Sequence, residues 1–178
     1  MTNKFRIGAA GVALVAALGM TSVANAADTA TATAEAEVLS ALTLTVATGS
    51  TLDFGQIAVN GAGTVALDPT DDSVVCSADL VCIGTTAAVD FEVTGAASQD
   101  VAITLPTGSV DLTLNGLPTI LATETLELTA FLSDDADDVV QTDAAGDAGF
   151  AVGGTLTFDG TEVAGTYSGT FDVEVEYQ

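Results

Sequence analysis

Residues 165–178, GTYSGTFDVEVEYQ, decide how this chain is read. From Tyr167 onward, Phe171, Val173, Val175 and Tyr177 fall on every second position, with Gly169 as the one gap. Between them stand Ser168, Thr170, Asp172, Glu174 and Glu176. A period of two over this length is the pattern of a half-buried β-strand, with one apolar face and one wet face. The run is the last in the sequence, so both its apolar face and its open edge need a cover. Its five large side chains put roughly 7–15 kcal/mol of gross apolar burial at stake, an upper bound before chain ordering is counted. Asp172, Glu174 and Glu176 on the other face discourage random edge-to-edge stacking.

The same period recurs upstream. Leu42, Leu44 and Val46 show it, then Leu52 and Phe54, with Gly55 marking a bulge before Ile57 and Val59. Val65 and Leu67 end at Asp68-Pro69, Val89, Phe91 and Val93 at Gly95, and Val101, Ile103 and Leu105 at Pro106. Val110, Leu112 and Leu114 end at Asn115-Gly116. Leu126, Leu128, Ala130 and Leu132 precede an acidic loop, and Phe150, Val152, Leu156 and Phe158 precede Asp159-Gly160. Helical spacing is nearly absent after residue 27. Eight or nine short strands separated by turn residues predict an all-β antiparallel sandwich, with a closed barrel as the alternative.

The first 26 residues read as a secretory leader. Lys4 and Arg6 precede an apolar stretch over residues 7–20, and Ala24-Asn25-Ala26 has the small-x-small form of a cleavage site. Cleavage is expected between Ala26 and Ala27, giving an exported protein that passes the periplasm to the cell surface or beyond. The apolar stretch is short for a membrane span, so no membrane insertion of the mature chain is expected. Both basic residues lie in the leader, whereas all 25 acids lie downstream, so the chain from Ala27 onward carries 0 − 25 = −25 in side-chain charge. A polyanion without Lys, Arg or His has no means of gripping nucleic acid or an anionic membrane. Cys76 and Cys82, with five residues between them, are expected to form a structural disulfide closing a small loop.

Residues 27–40, ADTATATAEAEVLS, alternate differently. Ala30, Ala32, Ala34, Ala36 and Val38 share one face, with Thr and Glu on the other. The segment reads equally as a flexible leader to the domain at 41–178 or as a strand whose narrow face fits a groove.

Three stretches carry a resemblance: FAVGGTLTFDGTEVAGTYSGTFDVEVEYQ, LDFGQIAV and VDFEVTGAASQDVAITLP. Together they resemble the secreted bacterial proteins grouped as domain-of-unknown-function family 4402. A glycine fourteen residues from the end (Gly165) and a penultimate tyrosine (Tyr177) are similar to the terminal signature of chaperone–usher pilins. The resemblance implies an incomplete immunoglobulin-like sandwich whose missing strand comes from another polypeptide. It implies a donor-strand groove bordered by Gly165, Tyr167, Phe171, Val173, Val175 and Tyr177. It also implies partners: a periplasmic chaperone, an outer-membrane usher, and identical or related subunits added through a strand. The donor would be the alanine face ending at Val38, entering shallow pockets, or a later segment through Leu42 and Leu44.

Catalysis has little to draw on. Without His, Lys or Arg there is no serine triad, Schiff base or anion clamp, and Ser168 lies on the polar face of a strand, so the expected function is structural and not enzymatic. A carbohydrate-processing enzyme using a carboxylate pair is the remote alternative. No cofactor is expected. Calcium is the one candidate ligand: Asp134, Asp135, Asp137 and Asp138 in SDDADD are hard oxygen donors, but an EF-hand would need Gly where Val140 stands. The alternative to a fibre subunit is a monomeric secreted sandwich serving as a matrix or calcium-binding module, closed by its own N-terminal segment.

Overall fold

A computed structural model describes residues 29–116 and 124–178. The leader, with its cleavage site at Ala26 and Ala27, lies outside them. The chain divides into two units, Met1–Ala36 and Glu37–Gln178. In the first, residues 29–36 form neither helix nor strand and are exposed.

The second unit is almost wholly β. Its strands are β1 (Thr43–Val46), β2 (Gln56–Val59), β3 (Gly63–Leu67), β4 (Val74–Cys76) and β5 (Leu80–Ile83). They continue with β6 (Val89–Thr94), β7 (Asp100–Thr104), β8 (Val110–Leu114), β9 (Thr125–Ser133) and β10 (Val139–Gln141). The last three are β11 (Asp147–Phe158), β12 (Tyr167–Ser168) and β13 (Glu174–Tyr177). One layer is an eight-stranded sheet in the order β1-β6-β11-β9-β8-β12, with β3 beside β11 and β4 beside β3. The twelve-residue β11 is its spine. One edge pairs first with β6 and then with β3, and the other edge pairs with β9. The opposite layer consists of two separate pieces, β10-β7-β13 and β2-β5. Every pairing is antiparallel, and the three sheets make a sandwich, not the closed barrel.

Two apolar clusters hold the layers together. Val65, Leu67, Leu128, Leu156 and Phe158 of the large sheet pack with Phe54 and Leu80, on the β2-β5 side. Phe91, Val93, Phe150 and Val152 pack with Val101 and Ile103 of β7 and Val140 of β10. Leu52, Phe131 and Phe171 touch both clusters. The alternating positions of β6 are buried, exposed, buried throughout, as period two requires.

The disulfide between Cys76 and Cys82 is present. It does more than close a loop. Cys76 of β4 lies opposite the buried Val65, and Cys82 of β5 lies opposite Ile57. Directly opposed residues share a face, so both sulfurs face inward and the bond ties the large sheet to the smaller β2-β5 sheet.

Two expectations of register need correction. Ala130 and Leu132 do not continue the inward face of Leu126 and Leu128. At Gly154, one residue of β11 faces two of β9, Ala130 and Phe131, because the pairing jumps from Gly153–Leu132 to Thr155–Thr129. Ala130 sits at φ +48°. This bulge reverses the phase, so Phe131 turns inward and Leu132 is left 39% exposed. The terminal run is likewise not one strand, as described next.

Candidate functional site: an open groove beside the terminal run

The run that begins at Tyr167 serves both layers. Its first part, β12, pairs with β8 through Tyr167–Leu114 and Ser168–Thr113. Asn115 N–H donates to the Thr166 carbonyl at 2.9 Å, and Ser168 Oγ lies 2.7 Å from Asn115 Oδ1. The chain then crosses to the other layer, where β13 pairs with β7 through Glu174–Thr104, Val175–Ile103, Glu176–Ala102 and Tyr177–Val101. Gly169 makes the crossing possible. A Cβ there would lie 2.7 Å from Leu112 Cδ2 and 2.8 Å from the Asp111 carbonyl oxygen, so any larger residue forces the chain away from β8. A Cβ on Gly165 would overlap Leu114. Phe171 then enters the core, its ring 4.8 Å from that of Phe131.

Every large side chain of the run is only half-buried: Tyr167, Phe171, Val173, Val175 and Tyr177 alternate with exposed residues. Gly165 is exposed. Tyr177 closes the far end. Its hydroxyl accepts from Ala96 N–H at 2.6 Å and donates to the Ser40 carbonyl at 2.8 Å, joining β13 to the turn after β6 and to the approach to β1. Tyr167 Oη donates to the Val163 carbonyl at 2.6 Å, and burial, with Glu162 nearby, raises its pKa.

Backbone pairing identifies the open side. Gln178 N–H donates to the Asp100 carbonyl at 3.1 Å. In an antiparallel ladder such residues alternate by two, so Glu174 and Glu176 also direct their backbone groups to β7. Those of Val173, Val175 and Tyr177 point to the other edge, where β13 has no strand neighbour among the described residues.

Near the start of the run a groove of about 540 Å³ opens between residues 52–59 and 162–167. Leu112, Leu126, Leu156 and Phe158 from the large sheet line it. It therefore lies where the second layer is interrupted, with the β2-β5 piece on one side. The wall formed by residues 52–59 was not foreseen as part of the groove. A break at Gly55 was legible: it takes φ +72° between the isolated Asp53–Ala87 bridge and β2, with its N–H held by Asp53 Oδ1.

Of the two donor candidates, the later one is committed elsewhere. Leu44 lies in β1, which pairs with β6 of its own domain from Thr43–Thr94 to Val46–Phe91, and Leu42 packs into the core. Ala30, Ala32, Ala34, Ala36 and Val38 are all exposed, Val38 at 91%.

The aspartates do not assemble a cation site among the described residues, where no group of three or more His, Cys, Asp or Glu side chains is placed to hold a metal. Asp134 Oδ1 accepts from Ala151 N–H and Asp138 Oδ1 from Ser133 Oγ, so these carboxylates brace the turn around Asp137. Burial, and then the adjacent Asp134, raise the pKa of Asp135. Asp72, next to Asp71, takes φ +58° and accepts from Ala88 N–H at 2.7 Å. No helix among the described residues is long and apolar enough to cross a membrane.

The family model described as Domain of unknown function (DUF4402) matches residues 44–177, most of the chain. The chain belongs to the DUF4402 family. The match runs from β1 to the end of β13, so the groove and the open edge lie in the DUF4402 part, whereas residues 29–38 precede it. No curated protein and no solved structure matches the chain.

Proposed function

We propose that this DUF4402 protein is a structural, pilin-like subunit of an extracellular fibre or surface assembly, built by adding a strand from one copy to the sandwich of the next. The observation that carries this reading is the interrupted second layer: a groove floored by Leu112, Leu126, Leu156 and Phe158 at the start of the terminal run and, further along the same run, an edge of β13 without a strand neighbour among the described residues. An added strand satisfies the backbone groups of that edge and covers half-buried side chains at once, the physics of strand addition in general. Export through a cleaved leader, a periplasmic chaperone covering the edge in transit and an outer-membrane usher belong to this reading. Catalysis does not.

A second reading has one observation in its favour. The Tyr177–Ser40 bond holds the base of the chain's own extension at the end of β13, so a monomeric matrix module closed by its own segment starts from a suitable place. Removing residues 27–38 separates the two. A fibre subunit loses detergent-resistant ladders and filaments under the electron microscope, and its melting temperature rises when a peptide spanning 29–38 is supplied. A protein that never forms higher-order species, and melts earlier on truncation, is the closed monomer.

A further inference from the structure

The two segments that would meet in strand addition are each written in two halves. On the polar face of the extension stand Thr29, Thr31 and Thr33, then Glu35 and Glu37. On the polar face of the terminal run stand Ser168 and Thr170, then Asp172, Glu174 and Glu176. Within the domain Glu174 lies opposite Thr104 and Glu176 opposite Ala102, so neither acid has a like charge directly across on β7. A strand arriving on the other edge would supply their remaining cross-strand neighbours, and like charges directly opposite destabilise a sheet.

Resting on the strand-addition reading above, the geometry points to a single partner and register: residues 29–38 of a second copy, antiparallel to residues 167–176. Thr29 then faces Glu176, Thr31 faces Glu174 and Thr33 faces Asp172. Glu35 meets Thr170 and Glu37 meets Ser168. Every acid is matched with a hydroxyl, and the alanine face turns inward with Val173 and Val175. Val38, the most exposed large apolar side chain among the described residues, arrives beside Tyr167, which lines the groove. Sliding the strand two residues toward the end of β13 puts Glu35 across from Asp172. Four residues put Glu35 on Glu174 and Glu37 on Asp172. Sliding it the other way moves Val38 off Tyr167 and withdraws cover from Val175.

The chain's own extension cannot take this register. Ser40 is held at Tyr177, and the two residues back to Val38 span at most about 7 Å, against roughly 33 Å for ten extended residues from Tyr177 to Tyr167. Leaving Ser40 beside β13, its own strand would run parallel to the terminal run. With the alanines inward, Glu37 would then face Glu174 or Glu176, and Glu35 would face Asp172 or Glu174. Self-closure stacks two glutamates on acids, whereas a second copy stacks none.

Cysteine pairs in the full chain, expressed with its own leader and recovered after export, test the register. Directly opposed Cβ atoms sit about 4.5–5.5 Å apart, near disulfide reach. The pair Thr31→Cys with Glu174→Cys is expected to give covalent multimers on mild oxidation, several-fold more than Glu35→Cys with Glu174→Cys. Multimers dominated by the 35/174 pair would overturn this register and leave strand addition standing. A 35/174 bond within single chains would establish self-closure instead. Absence of higher-order species from both pairs and from electron micrographs of the unmodified protein would remove the strand-addition reading and this inference with it.

Discussion

Thr142 is the only buried polar side chain among the described residues, 2% exposed, and it fastens a turn that is remote from it in sequence. Its Oγ1 donates to the Ala96 carbonyl at 2.7 Å and accepts from Gln99 N–H at 2.9 Å, while its own N–H donates to the Gln99 carbonyl. The same turn is held from the other side by Tyr177 Oη on Ala96 N–H. Replacing Thr142 with Val keeps the shape and strands these backbone groups. A buried group without its partner costs about 1–3 kcal/mol, so the urea midpoint of Thr142→Val is expected to fall by the equivalent of about 2 kcal/mol, while Thr142→Ser stays close to the parent. An unchanged midpoint in the valine variant would mean that water reaches the turn. Thr142 was not legible in the sequence: a threonine near a run of polar residues reads as surface, and its acceptor lies 46 residues away. The Cys76–Cys82 bond was legible, because two cysteines in a chain leave one internal pairing.

At the scale of the element, alternation located the longer strands, but it missed the short β4, β5 and β10, which hold only three or four residues each, and it did not show where a strand changes sheet. Both layers face the same core, so inward positions keep their period of two while the chain crosses between them. Hence residues 167–177 read as one strand, although β12 lies in the large sheet and β13 in the other. The missing side chain at Gly169 was the one local sign of the crossing. Gly169→Val is expected to push the run off β8, since the new Cβ alone would come within 2.8 Å of the Asp111 carbonyl and Leu112. Overpacking of this kind costs about 1–3 kcal/mol. Gly108→Ala, where a Cβ meets nothing within 4 Å, is the control. Chemical denaturation of both variants is the measurement, and equal midpoints would show that the crossing has slack. The β9 bulge escaped sequence reading for a similar reason: Ala130 has no side chain large enough to reveal which way it points.

For the whole molecule, the sandwich was legible, and so was the groove wall at Gly165 and Tyr167; the opposite wall at residues 52–59 was not, because it lies about a hundred positions away in the chain. Charge was legible in full. The chain from Ala27 carries 25 acids and no base, and among the described residues no group of carboxylates is gathered to hold a cation. Self-repulsion of this kind is spread over the surface and screened over a Debye length of about 10 Å at 0.1 M salt, shrinking to about 3 Å at 1 M. The melting temperature is therefore expected to climb with sodium chloride between about 0.01 and 0.5 M, by roughly 4 °C if screening relieves about 1 kcal/mol. Calcium and magnesium at equal concentration should act alike, since both only screen. A larger rise with calcium than with magnesium would mean that Asp134, Asp135, Asp137 and Asp138 rearrange around the ion, giving up the bonds that Asp134 and Asp138 make to Ala151 and Ser133. A flat response to every salt would mean that the acids are too far apart to repel appreciably, and the charge argument for the register of the added strand would then rest on the terminal run alone, where Asp172, Glu174 and Glu176 alternate with the half-buried side chains.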